Sequence, residues 1–506
     1  MTVVPFTPPL TPQMKSDVII IGSGLGGLVC ARLLAERGLR VVVLERHSVA
    51  GGCLQSYRRR GVTFDTGLHY VGGLAEGQRL RGIFERLGLM RLPWQRLDPQ
   101  GFDLVTIAGE TFPFVEGYRN FADALAGRFP REREALNKYV ALMERADHLS
   151  LGDPEVQTLC AVNAYDYLCE TFHDPLLIDV LAGNALKTEV RRESLPLFSF
   201  LHASFVGGGA WRLQGCGSDI VDTLVSGIKA NGGTVITGAQ VEELTETDGL
   251  ITVARCANGE TYEAATFISD IHPQQTFALM KDSKRLSRLF RRRIDVLENT
   301  TGMFTVSLVT DGSIPYFNHN KFIYRQANVW ESPSVGAGPV PARNHVGAGP
   351  VPARLTIDRV MVSCSSANVG AGPVPARLTI DLLTPVPFSL FAPWADSRLG
   401  HRPDGYTQLN KQLADQCIAL AETVLPGLKA AIVNCYTSTP LTWRDYTLTP
   451  QGSAYGLRKD SRQPLMTMLS PRTPIPNLLL TGQNLMLHGL EGVTMTALQT
   501  CEAITR

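Results

Sequence analysis

The sequence predicts an α/β fold, α+β overall: a parallel-sheet domain assembled from distant segments, joined to a second domain of mixed sheet with a helical cap. Three observations predict it. An apolar run near the start enters a glycine turn and a helix, a second short apolar run ends in an acid, and a strand–glycine–helix unit recurs at the far end.

Asp17 to Ile21 is nearly continuous in apolar residues and reads as a buried parallel strand. Gly22-Ser23-Gly24-Leu25-Gly26-Gly27 follows at once and satisfies G-x-G-x-x-G through Gly22, Gly24 and Gly27. Leu28, Ala31, Leu34 and Ala35 then fall at helical spacing, with Gly38 as a stop. Arg40 to Leu44 gives a second buried strand, closed by Glu45. Gly22 allows the tight turn, Gly24 lets backbone approach a pyrophosphate, and Gly27 permits close helix–strand packing. The helix start directs unpaired N–H groups and a positive dipole end at phosphates. Glu45 is placed to accept both hydroxyls of an adenosine ribose without a 2′-phosphate. A Rossmann-type dinucleotide site is the reading, and the motif alone does not separate NAD from FAD.

The 506 residues exceed one simple core. Hydrophobic residues at 44% and charged residues at 19% are ordinary for a globular chain, and a net charge of +1 gives no general attraction to nucleic acid. Ten cysteines stand singly, without CxxC pairs or Cys/His clusters at zinc spacing, so reduced thiols, a cytoplasmic setting and no metal site are expected. Residues 1–13 are Pro/Thr-rich and lack the plan of a signal peptide. No apolar run approaches the roughly 20 residues of a membrane span, so any membrane association is expected to be peripheral.

After Glu45, the run Arg46 to Cys53 places Gly51-Gly52 in an ExxxxxGG continuation. This resembles the flavoprotein superfamily of amine oxidases and phytoene desaturases, in which the paired glycines pack a loop over the FAD pyrophosphate. Cys53 stands where most members have Arg. Gly61 to Gly72, containing Phe64-Asp65-Thr66-Gly67-Leu68-His69-Tyr70, narrows the resemblance to the retinol saturase branch of the phytoene desaturase family. Gly215-Cys216-Gly217-Ser218, the following helical stretch and Thr234 to Val241 resemble the unit whose backbone near Val241 meets the adenine. Pro474 to Asn484 and His488 to Val493 resemble the closing motif: Gly482 and Gln483 approach the ribityl–phosphate region, and the last helix, at Gly492 and Val493, faces the flavin's pyrimidine edge. The resemblance implies FAD as cofactor, held by Gly22, Ser23, Gly24, Gly26, Gly27, Glu45, Arg46, Gly51, Gly52, Cys53, Val241, Gly482, Gln483, Gly492 and Val493. It also implies a discontinuous FAD domain (15–80, 205–275 and 455–506) and a substrate domain (81–204 and 276–454). Residues 76–200 are expected to be largely helical.

Val-Gly-Ala-Gly-Pro-Val-Pro-Ala-Arg occurs three times, from Val335, Val346 and Val369. Its unequal offsets exclude a solenoid, and its prolines remove the donors a phosphate loop needs. The stretch 335–381 is read as an insertion of loop sequence around a strand at Arg359 to Cys364.

The resemblance implies a flavin-dependent saturase, desaturase or isomerase of a lipophilic polyene, such as a retinoid or carotenoid. Two rival readings share the fold: an amine or protoporphyrinogen oxidase, and a lipid-binding protein without flavin, as in Rab GDP-dissociation inhibitors. NAD(P)H is one candidate external electron donor, although no second complete G-x-G-x-x-G is present. Neither a nucleic acid nor a specific protein partner is expected. His69, Tyr70 and His488 are the candidate proton donors or substrate contacts, each weighed against ordinary core packing. His202 and Glu491 are weaker candidates, and Asp65 is expected to fix its loop. Arg58-Arg59-Arg60 reads as a solvated turn.

Overall fold

The computed structural model describes residues 14–148, 153–186, 190–331, 356–366 and 378–504. The three repeat copies lie outside the described residues.

The first sheet is built on strand Met14–Ile21, which pairs in parallel with Val41–Leu44 on one side and Thr261–Ser269 on the other. Ile20 faces Val43 and Ile268 in register and is fully buried. A strand covered on both faces has no polar side, which is why its second half, Val18 to Ile21, is apolar throughout. Thr234–Ile236 extends the sheet beyond Val41–Leu44, and Leu478–Leu480 pairs with Thr261–Ser269. An antiparallel hairpin, Val241–Thr247 with Leu250–Cys256, completes it. Its turn, Asp248-Gly249, has φ of 52° and 80°, the hand that matches strand twist. Helix Leu25–Glu36 buries residues on every side because it lies between the sheet and helices Gly217–Ala230 and Gly489–Ile504.

The second sheet has seven strands, in the order Ile432–Ser438, Gly302–Thr310, Thr379–Val386, Arg359–Ser366, Asn320–Tyr324, Asp103–Ile107 and Glu110–Phe114. Two of these lie in the stretch expected to be largely helical. Residues 103–107 and 110–114 form a hairpin because Ala108-Gly109 takes positive φ (49° and 90°) and the alternating apolar residues then share one face. Helices do fill most of the remainder, with Tyr118–Arg128 and Arg133–His148 the longest pair.

Side-chain alternation gives this sheet two different faces. Phe304, Val306, Ile323, Val360, Ile380 and Leu382 pack under helix Asp404–Glu422. Met303, Phe322, Met361 and Leu383 face the helical cap. The repeated tetrapeptide Leu-Thr-Ile-Asp takes two roles: Asp381 is buried within a strand, whereas Asp358 stands just outside one and pairs with Arg359 at 3.0 Å.

Candidate active site

At the mouth of the first sheet, Gly22 turns with φ of 94°, a value that disfavours any side chain. Glu45 is buried, and its carboxylate accepts from the Ser23 amide at 3.0 Å, the Ser23 hydroxyl at 2.5 Å and the His47 amide at 2.8 Å. These bonds hold the acid at the end of its strand, directly beside the glycine turn. The Gly51 amide donates to the Ser23 carbonyl at 3.0 Å, and a Cβ on Gly52 would lie 3.1 Å from Gly24 Cα. The paired glycines therefore sit backbone to backbone on the first glycine loop. Gly482 closes the arrangement: a Cβ on Gly26 would lie 2.9 Å from its Cα.

Residues 22–27, 45, 51–52 and 482 thus converge on one helix N-terminus, where the glycines leave space that the Asp270 carboxylate reaches and that an added Cβ would overfill. That donor set fits a dinucleotide: amides for the pyrophosphate and a fixed carboxylate for the ribose. Glu45→Ala is expected to yield protein that retains no dinucleotide through gel filtration, as read by absorbance of the denatured supernatant. Retention at the wild-type ratio would refute this site.

The other predicted positions flank this cradle or pack on the elements around it. The Arg46 guanidinium donates to the carbonyl oxygens of Asp445 (3.1 Å) and Tyr446 (2.8 Å), so it ties the strand end to helix Pro440–Thr447. Val241 opens the edge hairpin opposite Cys256, while the Glu45 strand end bonds to Ile236 and Ala239. Gly492 packs on Leu487, and Val493 is part of the core around helix Leu25–Glu36. Gln483 lies against Gly456. Cys53 lies beside Gly52 at the inner end of a cleft of about 1390 Å³, which runs between the hairpin Ser56–Asp65 and helix Asp404–Glu422. Burial pushes the Cys53 thiol up to about 11, so it is a neutral wall rather than a nucleophile.

Asp65 accepts from the Gly217 amide at 2.7 Å and Ser56 at 2.8 Å, fixing the hairpin to the start of helix Gly217–Ala230. Arg58, Arg59 and Arg60 are exposed at its turn. His202 is a core residue, bonded to Tyr139 at 2.7 Å and enclosed by Phe114, Phe121 and Phe198. Glu491 bonds Ser204, and burial pushes its carboxyl up to about 7.

The structure gathers the three catalytic candidates on the inner side of the second sheet. Tyr70 stacks on Phe205 with ring centres 4.6 Å apart, Tyr455 packs against the same core, and His488 lies 4.5 Å from the Tyr455 ring. Burial lowers the His69 imidazole, which keeps it neutral, with Asp381 and Arg212 as its charged neighbours.

One residue at the glycine loop has no local sequence signal. Asp270, at the end of strand Thr261–Ser269, puts its carboxylate under the cradle and accepts from the Gly27 and Gly24 amides. Burial pushes it up to about 7, the nearby Glu45 charge adding to the effect and the two amides opposing it.

A strand–glycine-turn–helix unit with its acid in place, joined to a sheet-and-helix cap, defines a dinucleotide-binding oxidoreductase fold. Residues 20–87 match the NAD(P)-binding Rossmann-like domain family. The chain is 25% identical to all-trans-retinol 13,14-reductase of Rattus norvegicus, over 97% of this chain and 86% of that one. It is 24% identical to the chloroplastic prolycopene isomerase of Daucus carota, over 92% of this chain and 76% of that one. A putrescine oxidase solved with putrescine superposes with a TM-score of 0.65 at 15% identity, over 98% of this chain and all of that one, which shows the shared fold. These similarities, over most of the chain, support a phytoene desaturase/retinol saturase-like relationship. Among the described residues, no helix is long and apolar enough to cross a membrane.

Proposed function

We propose that this chain is an FAD-dependent oxidoreductase of the CH–CH class, acting on carbon–carbon double bonds of a lipophilic polyene of the retinoid or carotenoid kind. The observation that carries this reading is the end-to-end similarity to retinol 13,14-reductases, across 97% of the chain, in a protein whose glycine cradle and Glu45 are geometrically intact. The prolycopene isomerase likeness supports the polyene class independently. Gly22 to Gly27, Glu45, Gly51, Gly52 and Gly482 would hold FAD, and the flavin would supply hydride exchange. The chain itself provides an aromatic cluster of Phe205, Tyr70 and Tyr455 packed against the cap core. A lipophilic substrate would bring the protein into peripheral contact with membranes, and NAD(P)H is the external donor we favour for a reductase.

The test is an absorbance spectrum of the purified protein, followed by anaerobic mixing of reduced and oxidised protein with polyenes and with amines. A bound flavin that bleaches or recovers with a polyene is the expected result. Recovery with amines alone would move the protein to the amine oxidase reading, and absence of flavin after added FAD would refute both.

A further inference from the structure

Five buried polar residues stand side by side on the cap-facing side of the second sheet. Asp103 pairs in register with Asn320, Asn320 with Ser363, Ser363 with Asp381, and Asp381 with Ser307. Each is at most 2% exposed. A row of this kind in an apolar sheet is costly unless its members satisfy one another or serve chemistry. The Asn320 amide donates to Asp103 Oδ1 at 2.9 Å, and Ser363 donates to Asn320 Oδ1 at 3.0 Å. Ser307 donates to Asp381 Oδ1 at 2.7 Å. Arg212, itself 1% exposed, lies over the middle of the row and donates to Asn320 Oδ1 at 2.8 Å. Its Nε and Nη1 find no hydrogen-bond partner among the described residues.

The row ends at the aromatic cluster of Tyr70, Phe205 and Tyr455. Tyr70, which is only partly covered, donates its hydroxyl to Asp103 Oδ2 at 3.0 Å. Asn184 donates to the same oxygen at 3.2 Å. Asp103 is therefore a buried carboxyl bonded to a hydroxyl that is itself partly exposed. We propose that Tyr70 and Asp103 are the proton-exchanging pair of the active site, Tyr70 being the catalytic residue that meets the substrate and Asp103 the store behind it.

The inference rests on the polyene reading. In the reducing direction, bound two-electron-reduced flavin would supply a hydride to one carbon of the double bond. With Asp103 protonated, this hydrogen bond runs from the acid to the phenol oxygen, so Tyr70 gives its hydroxyl proton to the neighbouring carbon as its oxygen takes the Asp103 proton. One C=C π bond is lost and two C–H bonds form. The Asp103 carboxylate left behind is held by the Asn320 and Asn184 amides and by the Arg212 charge, and regains its proton through the partly exposed Tyr70 hydroxyl once product has left. The reverse sequence serves a desaturation. Burial, the largest influence, pushes the Asp103 carboxyl up to about 6, against the Asn320, Asn184 and Tyr70 hydrogen bonds and the Arg212 charge. Further along the row, Asp381 faces His69, Arg212, Tyr57 and Asp65.

The test uses full-length protein with Tyr70→Phe and Asp103→Asn. Infrared difference spectra of the flavin-free protein should show a carboxyl band that titrates near pH 6, persists in Tyr70→Phe and is lost in Asp103→Asn. In the holoenzyme, Tyr70→Phe should slow single-turnover reoxidation of reduced flavin by polyene by about 100-fold while leaving flavin content unchanged. Asp103→Asn should flatten the wild-type fall in that rate above pH 6. Should Asp103→Asn fail to fold, Tyr70→Phe, which removes one oxygen, still decides. Wild-type rates and pH dependence in both variants, or no carboxyl titrating in that range, would overturn the pair. A wild-type holoenzyme inert to every polyene would instead sink the functional reading, and the infrared titration would stand apart from it.

Discussion

Gly27→Ala is expected to abolish dinucleotide retention and to lower stability by about 3 kcal/mol, the upper part of the usual range for overpacking. An added Cβ would overlap the carbonyl oxygen of Gly22, with the Asp270 carboxylate 3.2 Å away. Neither neighbour yields cheaply. The carbonyl belongs to a turn already fixed at φ of 94°, and Asp270 is held by two amides. The helix start must therefore shift outward, and with it the amides that would meet a pyrophosphate. Gly82→Ala is the control, because its Cβ would meet nothing within 4 Å on the surface of helix Arg79–Leu87. That change should raise stability by about 1 kcal/mol through helix propensity. Urea midpoints with and without added FAD measure both, and equal midpoints for Gly27→Ala and wild type would refute the expectation.

Asp270→Asn should change the pH dependence of stability more than any other single carboxylate replacement at the glycine loop. The Asp270 carboxyl rises from 3.8 in the unfolded chain to about 7 in the fold, so the folded state holds the proton more tightly. Its contribution is fully present below about pH 4 and is lost as pH rises through about 7, amounting to roughly 4 kcal/mol. Asparagine mimics the neutral form at every pH. The variant should match wild type near pH 4 and exceed it at pH 8, where it should also bind FAD more tightly because no carboxylate opposes the pyrophosphate. Parallel pH profiles for the two proteins, in urea unfolding without cofactor, would show that Asp270 ionises freely.

The parts of this site legible in the sequence are those whose partners are near in the chain. Gly22 to Gly27, Glu45 and the Gly51-Gly52 pair form contiguous motifs, and the local geometry of a turn and a helix start dictates their residue types. Asp270 was not legible, because its partners Gly24 and Gly27 precede it by more than two hundred residues. The one signal was position: an acid directly after a buried strand, at the carboxyl edge of a parallel sheet where ligands gather. The row from Asp103 to Ser307 needs the register of five strands, which no single segment encodes. Its trace is a strongly polar residue inside a mostly apolar run, such as Asp381 in Thr379–Val386 and Ser307 in Gly302–Thr310. The hairpin at 103–114 was hidden because Ala108-Gly109 lacks the Asn or Asp that usually marks such a turn.

The contact of Gly26 with Gly482 also has a consequence for how the protein is made. Helix Leu25–Glu36 leaves the ribosome early, but one wall of its cradle arrives only with residues 478–504, which supply a strand of the same sheet and a helix packed on the first one. A nascent chain carries the whole glycine motif for most of its synthesis without a closed pocket around it. Closure of the cradle is then a late event in the making of each molecule, and a dinucleotide could be enclosed only once residues 478–504 have joined the sheet.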